Sequence, residues 1–194
     1  MPALRDRIAP GVVAGIVAYA LGYLVTYVSQ GDAVEEQLRG FNFLADLFGG
    51  EPVPIWQGVG WLFYNAHLVR TRIPGLGGPR SENFIAAGDD GTLTLLYFVP
   101  VLALFAAGFA VARLAGSADD ATDPTTGAVD GAAVVLGYLP LAVVGLLVFS
   151  YAVGDGAIEP DPITGVALAG ILYPVVCGGL GGAVAAVAAD LGGE

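Results

Sequence analysis

The chain has 194 residues, of which 56 % are hydrophobic and 13 % charged, where a soluble domain carries about 25 % charged residues. Its charge is one-sided: 18 Asp and Glu stand against 7 arginines and no lysine, for a net −11. This excludes a freely soluble domain and argues against a nucleic-acid partner, which is held by clustered Lys and Arg. The acidic, lysine-free, Ala/Gly/Val-rich composition fits a chain from a very saline cytoplasm, where the Debye length is about 3 Å at 1 M salt and self-repulsion is mild. A rigid acidic cation-binding surface is the other reading of the same excess.

Four stretches nearly empty of charge divide the chain, at residues 8–28, 93–114, 132–153 and 163–189. Each has the roughly 20 residues that cross a bilayer as a helix. Arg5 and Arg7 precede the first stretch, and Ala18-Tyr19-Ala20 imitates a signal-peptide cleavage site. The apolar run continues through Leu21 to Val25, so an uncleaved anchor is expected. In this stretch Gly11 and Gly15 form G-x-x-x-G, continued by Ala18 and Gly22. Such small residues let helices approach closely in lipid, within one bundle or between copies. Tyr19, Tyr23 and Tyr27 recur every four residues and read as a packing stripe rather than the wall of a ligand cleft.

Residues 29–92 hold most of the chemical variety. Val34, Leu38, Phe41, Ala45 and Phe48 fall at helical spacing, and Gly49-Gly50 is expected to stop that helix. Glu51-Pro52-Val53-Pro54 reads as a turn into a second helix from Ile55 to about Val69, apolar nearly all round and therefore in need of cover. A small helical hairpin is expected, forming an extracellular cap with Trp56, Trp61, Tyr64, Asn65 and His67. A rival topology makes residues 54–69 a fifth span, which puts Arg70, Arg72 and Arg80 inside. Those 16 positions reach only about 24 Å as a helix and contain Gln57, Asn65 and His67, so four spans are preferred. Residues 73–79 are too glycine-rich for a helix.

His67 is the only histidine. A metal site wants three or four converging ligands, and a general base wants a nucleophile and an orienting partner. Ser81 and Glu82 could meet it across the loop, but no G-x-S-x-G frame supports this, so His67 reads as a hydrogen-bonded structural group. Gly75–Gly78 lacks the G-K-[ST] ending of a phosphate loop.

The remaining three stretches each carry a tyrosine shortly before a proline: Tyr97 and Pro100, Tyr138 and Pro140, Tyr173 and Pro174. Each proline is expected to kink its helix and free a carbonyl that a tyrosine hydroxyl could take. Gly178 and Gly182 repeat the small-residue spacing in the last stretch. Cys177 lies among them as a packing residue, and a single cysteine rules out a disulfide within the chain. The middle of each stretch is free of Asp, Glu, His, Lys and Arg, which speaks against a pump or ion-coupled carrier. The linker with Asp119, Asp120, Asp123 and Asp130 does not match a calcium-binding loop.

The runs Phe48-Gly49-Gly50-Glu51-Pro52-Val53-Pro54 and Gly58-Val59-Gly60-Trp61-Leu62-Phe63-Tyr64-Asn65-Ala66-His67, with Gly137-Tyr138-Leu139-Pro140, resemble an uncharacterised family of haloarchaeal multi-span membrane proteins of unknown function. The resemblance covers nearly the whole chain and implies a source and a location, with no catalytic or binding residues to carry over.

The fold expected is an all-α membrane protein: a four-transmembrane-helix bundle with a small helical extracellular cap between spans 1 and 2. By the positive-inside tendency both termini are cytoplasmic. The expected role is a non-enzymatic interaction or assembly component of the cell envelope, without metal or cofactor. Its partners would be the lipid bilayer and a second copy or another membrane protein. The alternatives are a channel or passive transporter for a small neutral solute, and a membrane enzyme centred on His67.

Overall fold

The computed structural model describes residues 4–47, 50–75, 78–88, 91–115 and 123–191. In chain order these form helix α1 (Leu4–Leu47), helix α2 (Ile55–Ala66), strands β1 (Thr71–Ile73) and β2 (Arg80–Glu82), and the short helices α3 (Phe84–Ala87) and α4 (Gly91–Thr94). A 3-10 turn (Leu95–Tyr97) leads into α5 (Phe98–Ala115), followed by α6 (Pro124–Ala132), α7 (Val135–Val148) and strands β3 (Tyr151–Val153) and β4 (Gly156–Pro160). The short α8 (Pro162–Thr164), a π-helical segment (Gly165–Leu172) and α9 (Tyr173–Leu191) complete the chain. Four helical stretches are long and apolar enough to cross a membrane: Ile8–Leu47, Leu95–Leu114, Pro124–Val148 and Pro162–Leu191.

The first of these does not end where its apolar sequence ends. α1 continues for 19 residues beyond Val28, so the helix expected from Val34 is its upper half and not a separate arm. Extending an existing helix adds one hydrogen bond per residue without a new nucleus, and Gly31 weakens it by only about 1 kcal/mol. Phe48 and Gly49, expected at the stop, lie outside the described residues, as do Asp119 and Asp120. The Gly50 N–H returns to the Ala45 carbonyl at 2.7 Å.

The long helices meet backbone to backbone. A Cβ on Gly11 would lie 2.7 Å from the Ala133 Cβ, and one on Gly15 would lie 2.7 Å from the Tyr138 backbone nitrogen. Gly178 is wedged between Val134 and the Gly131 carbonyl, at 2.6 and 2.7 Å from an added Cβ. Gly182 sits against Gly127 and Gly131, and Gly108 against Gly178. The small-residue motifs therefore make contacts inside this chain: α1 on α6 and α7, and α9 on α5 and α6.

A four-stranded antiparallel sheet, in the order β2-β1-β4-β3, closes one end of the bundle. It takes up segments that read as loops or helix. Residues 151–153, expected to finish the third apolar stretch, turn back at Gly154 (φ +56°) as the first arm of a β-hairpin. Arg72 lies 3.7 Å from Glu159 and 4.0 Å from Asp161. Asp161 caps α8, accepting from the Thr164 N–H and hydroxyl at 2.9 Å each.

Gly178→Val should destabilise the bundle by about 1–3 kcal/mol through overpacking, measured as unfolding in detergent. Gly40→Ala, where nothing lies within 4 Å of an added Cβ, should instead be neutral or stabilising by up to about 1 kcal/mol. The Thr164 N–H, with the Thr164 hydroxyl and Arg72 adding to it, holds the Asp161 carboxyl below its ordinary value of 3.8, against the opposing effect of burial. Its contribution to stability is therefore complete above that ordinary value and lost as pH falls through the lower folded value. Asp161→Asn keeps the cap and should flatten this acid limb in a pH series of melting temperatures.

Candidate functional site

α2 holds the polar groups singled out in the sequence, and its neighbours explain its burial. Gly58 admits Val34 and Leu38 of α1, where an added Cβ would lie 2.7 and 3.1 Å from their side chains. Gly60 admits the ring of Phe149, and Gly22 of α1 receives the edge of Phe63, 3.1 Å from where a Cβ would stand. Residues 57–66 are buried without a break. At 12 residues the helix spans about 18 Å, well short of a bilayer's hydrocarbon core.

Its polar side chains serve backbone groups that other helices leave open. The last carbonyls of a helix have no internal partner, and Gln57 donates to that of Val148, the last residue of α7, at 3.2 Å and to that of Ser150 just beyond it at 3.1 Å. The Trp61 indole N–H donates to Phe149 at 2.7 Å. Deeper in, the Tyr64 hydroxyl donates to the Ala142 carbonyl and lies 3.4 Å from the Tyr19 hydroxyl. Asn65 joins three elements. It donates to Val69 (2.8 Å) and Thr71 (3.1 Å), accepts from the Phe84 N–H (2.8 Å), and its own carbonyl accepts from Asn83 (3.1 Å). Trp56 is half-exposed, and its carbonyl accepts from Tyr23 at 3.0 Å.

His67 is fully buried at the end of α2. Its Nδ1 lies 2.8 Å from the Phe63 carbonyl, which can only accept, so Nδ1 carries the hydrogen. Its Nε2, 2.7 Å from the Tyr138 hydroxyl, then accepts from the phenol. Neither partner offers a counter-charge, and an unpaired buried cation would be costly, so the neutral tautomer fits. The imidazole packs edge-on against Phe63, with centroids 4.9 Å apart, and lies 5.2 Å from Tyr173, the first residue beyond the π-helical segment. Ser81 and Glu82 do not meet it: they lie on edge strand β2, paired with Arg72 and Thr71.

α2 ends in a paired closure. Val69 N–H bonds the Tyr64 carbonyl at 3.1 Å and Leu68 N–H the Asn65 carbonyl at 2.9 Å, with Leu68 at φ +63°. This is the Schellman arrangement, with a leucine where glycine is usual. It ends the helix three residues before Val69, the expected limit.

Two of the tyrosines near the prolines have partners other than the freed carbonyls. Tyr138 donates to His67, and Tyr97 donates to Asn83 at 3.3 Å. A further group escaped the sequence reading. The third long apolar helix starts at Pro124, so Asp130 lies within it and is buried. Placed in an acidic linker, it carried no signal of burial except the glycines around it. Among the described residues no three His, Cys, Asp or Glu converge as metal ligands.

Clefts open on this end of the molecule. One of about 650 Å³ lies between the β1–β2 and β3–β4 turns, lined by Arg72, Pro74, Asp155 and Glu159. Another, of about 330 Å³, lies between the end of α1 and β3, lined by Phe41, Leu44, Tyr151 and Val153.

Tyr138→Phe should destabilise the fold by about 1–3 kcal/mol, since it strands a buried acceptor. His67→Phe combined with it should cost less than the sum of the two, a coupling that a double-mutant cycle reads. Leu68→Gly relieves the left-handed leucine and should raise the unfolding midpoint.

No curated protein and no solved structure matches the chain. A family profile covers residues 2–189, and the chain belongs to that family, DUF7978, a family of unknown function.

Proposed function

We propose that this is a multi-pass integral membrane protein of the cell envelope of a halophilic archaeon, acting in interaction or assembly and not in catalysis. The observation that carries the reading is how its side chains are divided between surface and interior. The four long helices turn large apolar residues outward, among them Val13 (60 % exposed), Leu102 (64 %), Leu147 (75 %) and Ile163 (82 %). An apolar surface of this extent needs lipid or protein to cover it. Meanwhile the groups able to do chemistry, His67, Tyr64 and Tyr138, are buried and bonded to one another or to backbone. With Arg5 and Arg7 on the cytoplasmic side, four crossings return the C-terminus there and put the sheet outside, with α2 reaching down from that side between the spans to Tyr19 and Tyr138. The lysine-free acidic composition supports the saline source.

The protein should stay with the membrane through alkaline carbonate extraction, and its native mass in mild detergent should exceed that of one chain. Release by carbonate, or a lone monomer without a bound partner, would overturn the reading. In a Cys177→Ala background, Ser81→Cys should react with an impermeant maleimide from outside intact cells, whereas Thr126→Cys should not.

A further inference from the structure

The upper half of α1 has two faces. One is occupied: Val34 and Leu38 pack on Gly58, and the Asn42 side chain bonds the Val53 backbone at 2.7 and 3.1 Å. On the opposite face Asp32, Glu36, Gly40 and Leu44 recur every four residues, joined by Phe43 and Leu47, and all six are exposed, with Leu44 at the edge beside the cleft against β3. Phe43, Leu44 and Leu47 are 63 %, 54 % and 62 % exposed, and nothing lies within 4 Å of a Cβ built on Gly40. Spacing of i, i+3, i+4 and i+7 is that of a helix-packing seam.

Lipid does not reach this seam. Residues 8–28 fill the roughly 30 Å hydrocarbon core, and Phe43 stands 15 residues, or about 22 Å, above Val28. Headgroups add only about 5–8 Å on each side. Asp32, Glu35, Glu36 and Arg39 lie between the seam and the membrane, which prevents the helix from sinking. The charge around the seam selects among protein partners. Residues 29–51 carry five carboxylates (Asp32, Glu35, Glu36, Asp46 and Glu51) against one arginine, Arg39. A second copy would bring the same negative charge. In the saline setting proposed above only charges in near contact discriminate, so the complement must stand opposite Asp32 and Glu36 themselves.

We propose that this face of α1 is a docking seam for another protein's helix, one with an apolar stripe and with arginine or lysine at its membrane-proximal end. Gly40 gives the incoming helix close approach, Phe43, Leu44 and Leu47 bury its stripe, and Asp32 and Glu36 fix its direction. This rests on the membrane-assembly reading and names the surface and chemistry of the partner.

The test uses the full chain in detergent and two synthetic helices, measured by fluorescence anisotropy. One carries leucines on one face and arginines over its first two turns; the other has glutamates in place of the arginines. The arginine peptide should bind at least about tenfold more tightly, a difference of about 1.4 kcal/mol. Phe43→Ser with Leu47→Ser should abolish binding. Asp32→Asn with Glu36→Gln should erase the preference for arginine, with unchanged circular dichroism and melting in both variants. Equal binding of the two peptides, no binding, or binding that survives Phe43→Ser with Leu47→Ser overturns the proposal. So does a native mass that Phe43→Ser with Leu47→Ser halves, which would make the occupant a second copy. Quenching of Phe43→Trp by brominated lipid would make it the bilayer. Each of these leaves the membrane reading standing, because carbonate extraction tests that reading separately.

Discussion

Close approach of helix backbones is the constraint on which the rest of this structure depends. Where Gly11, Gly15 and Gly137 bring α1 onto α7, and Gly108, Gly131, Gly178 and Gly182 bring α9 onto α5 and α6, no side chain separates the main chains. Contacts this tight fix crossing points, because any added Cβ would meet backbone atoms that cannot rotate away. In the lipid setting proposed above, association comes from packing rather than from expulsion of water, which suits helices whose outer faces are themselves apolar.

That tight lower bundle leaves an opening at the other end, and α2 fills it. A helix apolar on every side has no stable place on a wet surface. Its glycines at positions 58 and 60 make room for Val34, Leu38 and Phe149, so it packs between elements instead of on top of them. Its few polar side chains find carbonyls in need of donors at the end of α7, and the pair of His67 and Tyr138 buries two polar groups at the expense of neither. These hydrogen bonds tie α2 to α7 along its length.

The elements with strong local signals were legible in the sequence. Long apolar runs gave four helices, Pro54 and the aromatic run after it gave the start of α2, and the spacing of Gly11, Gly15, Gly178 and Gly182 marked close packing. The sheet was not legible, because its strands have only three to five residues, too few to show alternation. The end of α1 was misplaced because a polar stretch such as Ser29–Asp32 can break a helix or continue it, and only the packing of Val34 and Leu38 on Gly58 decides.

By itself, then, the sequence determined the number of long helices and the small-residue faces that could touch. Those are properties of composition and of spacing within a few turns, where chain geometry leaves little choice. Only the tertiary structure decided that His67 meets Tyr138, 71 residues away, that Asp130 is buried, and that α1 runs on past Val28 with Phe43, Leu44 and Leu47 exposed among the described residues. Such pairings depend on how separate elements share space, and no local pattern encodes the partner on the far side.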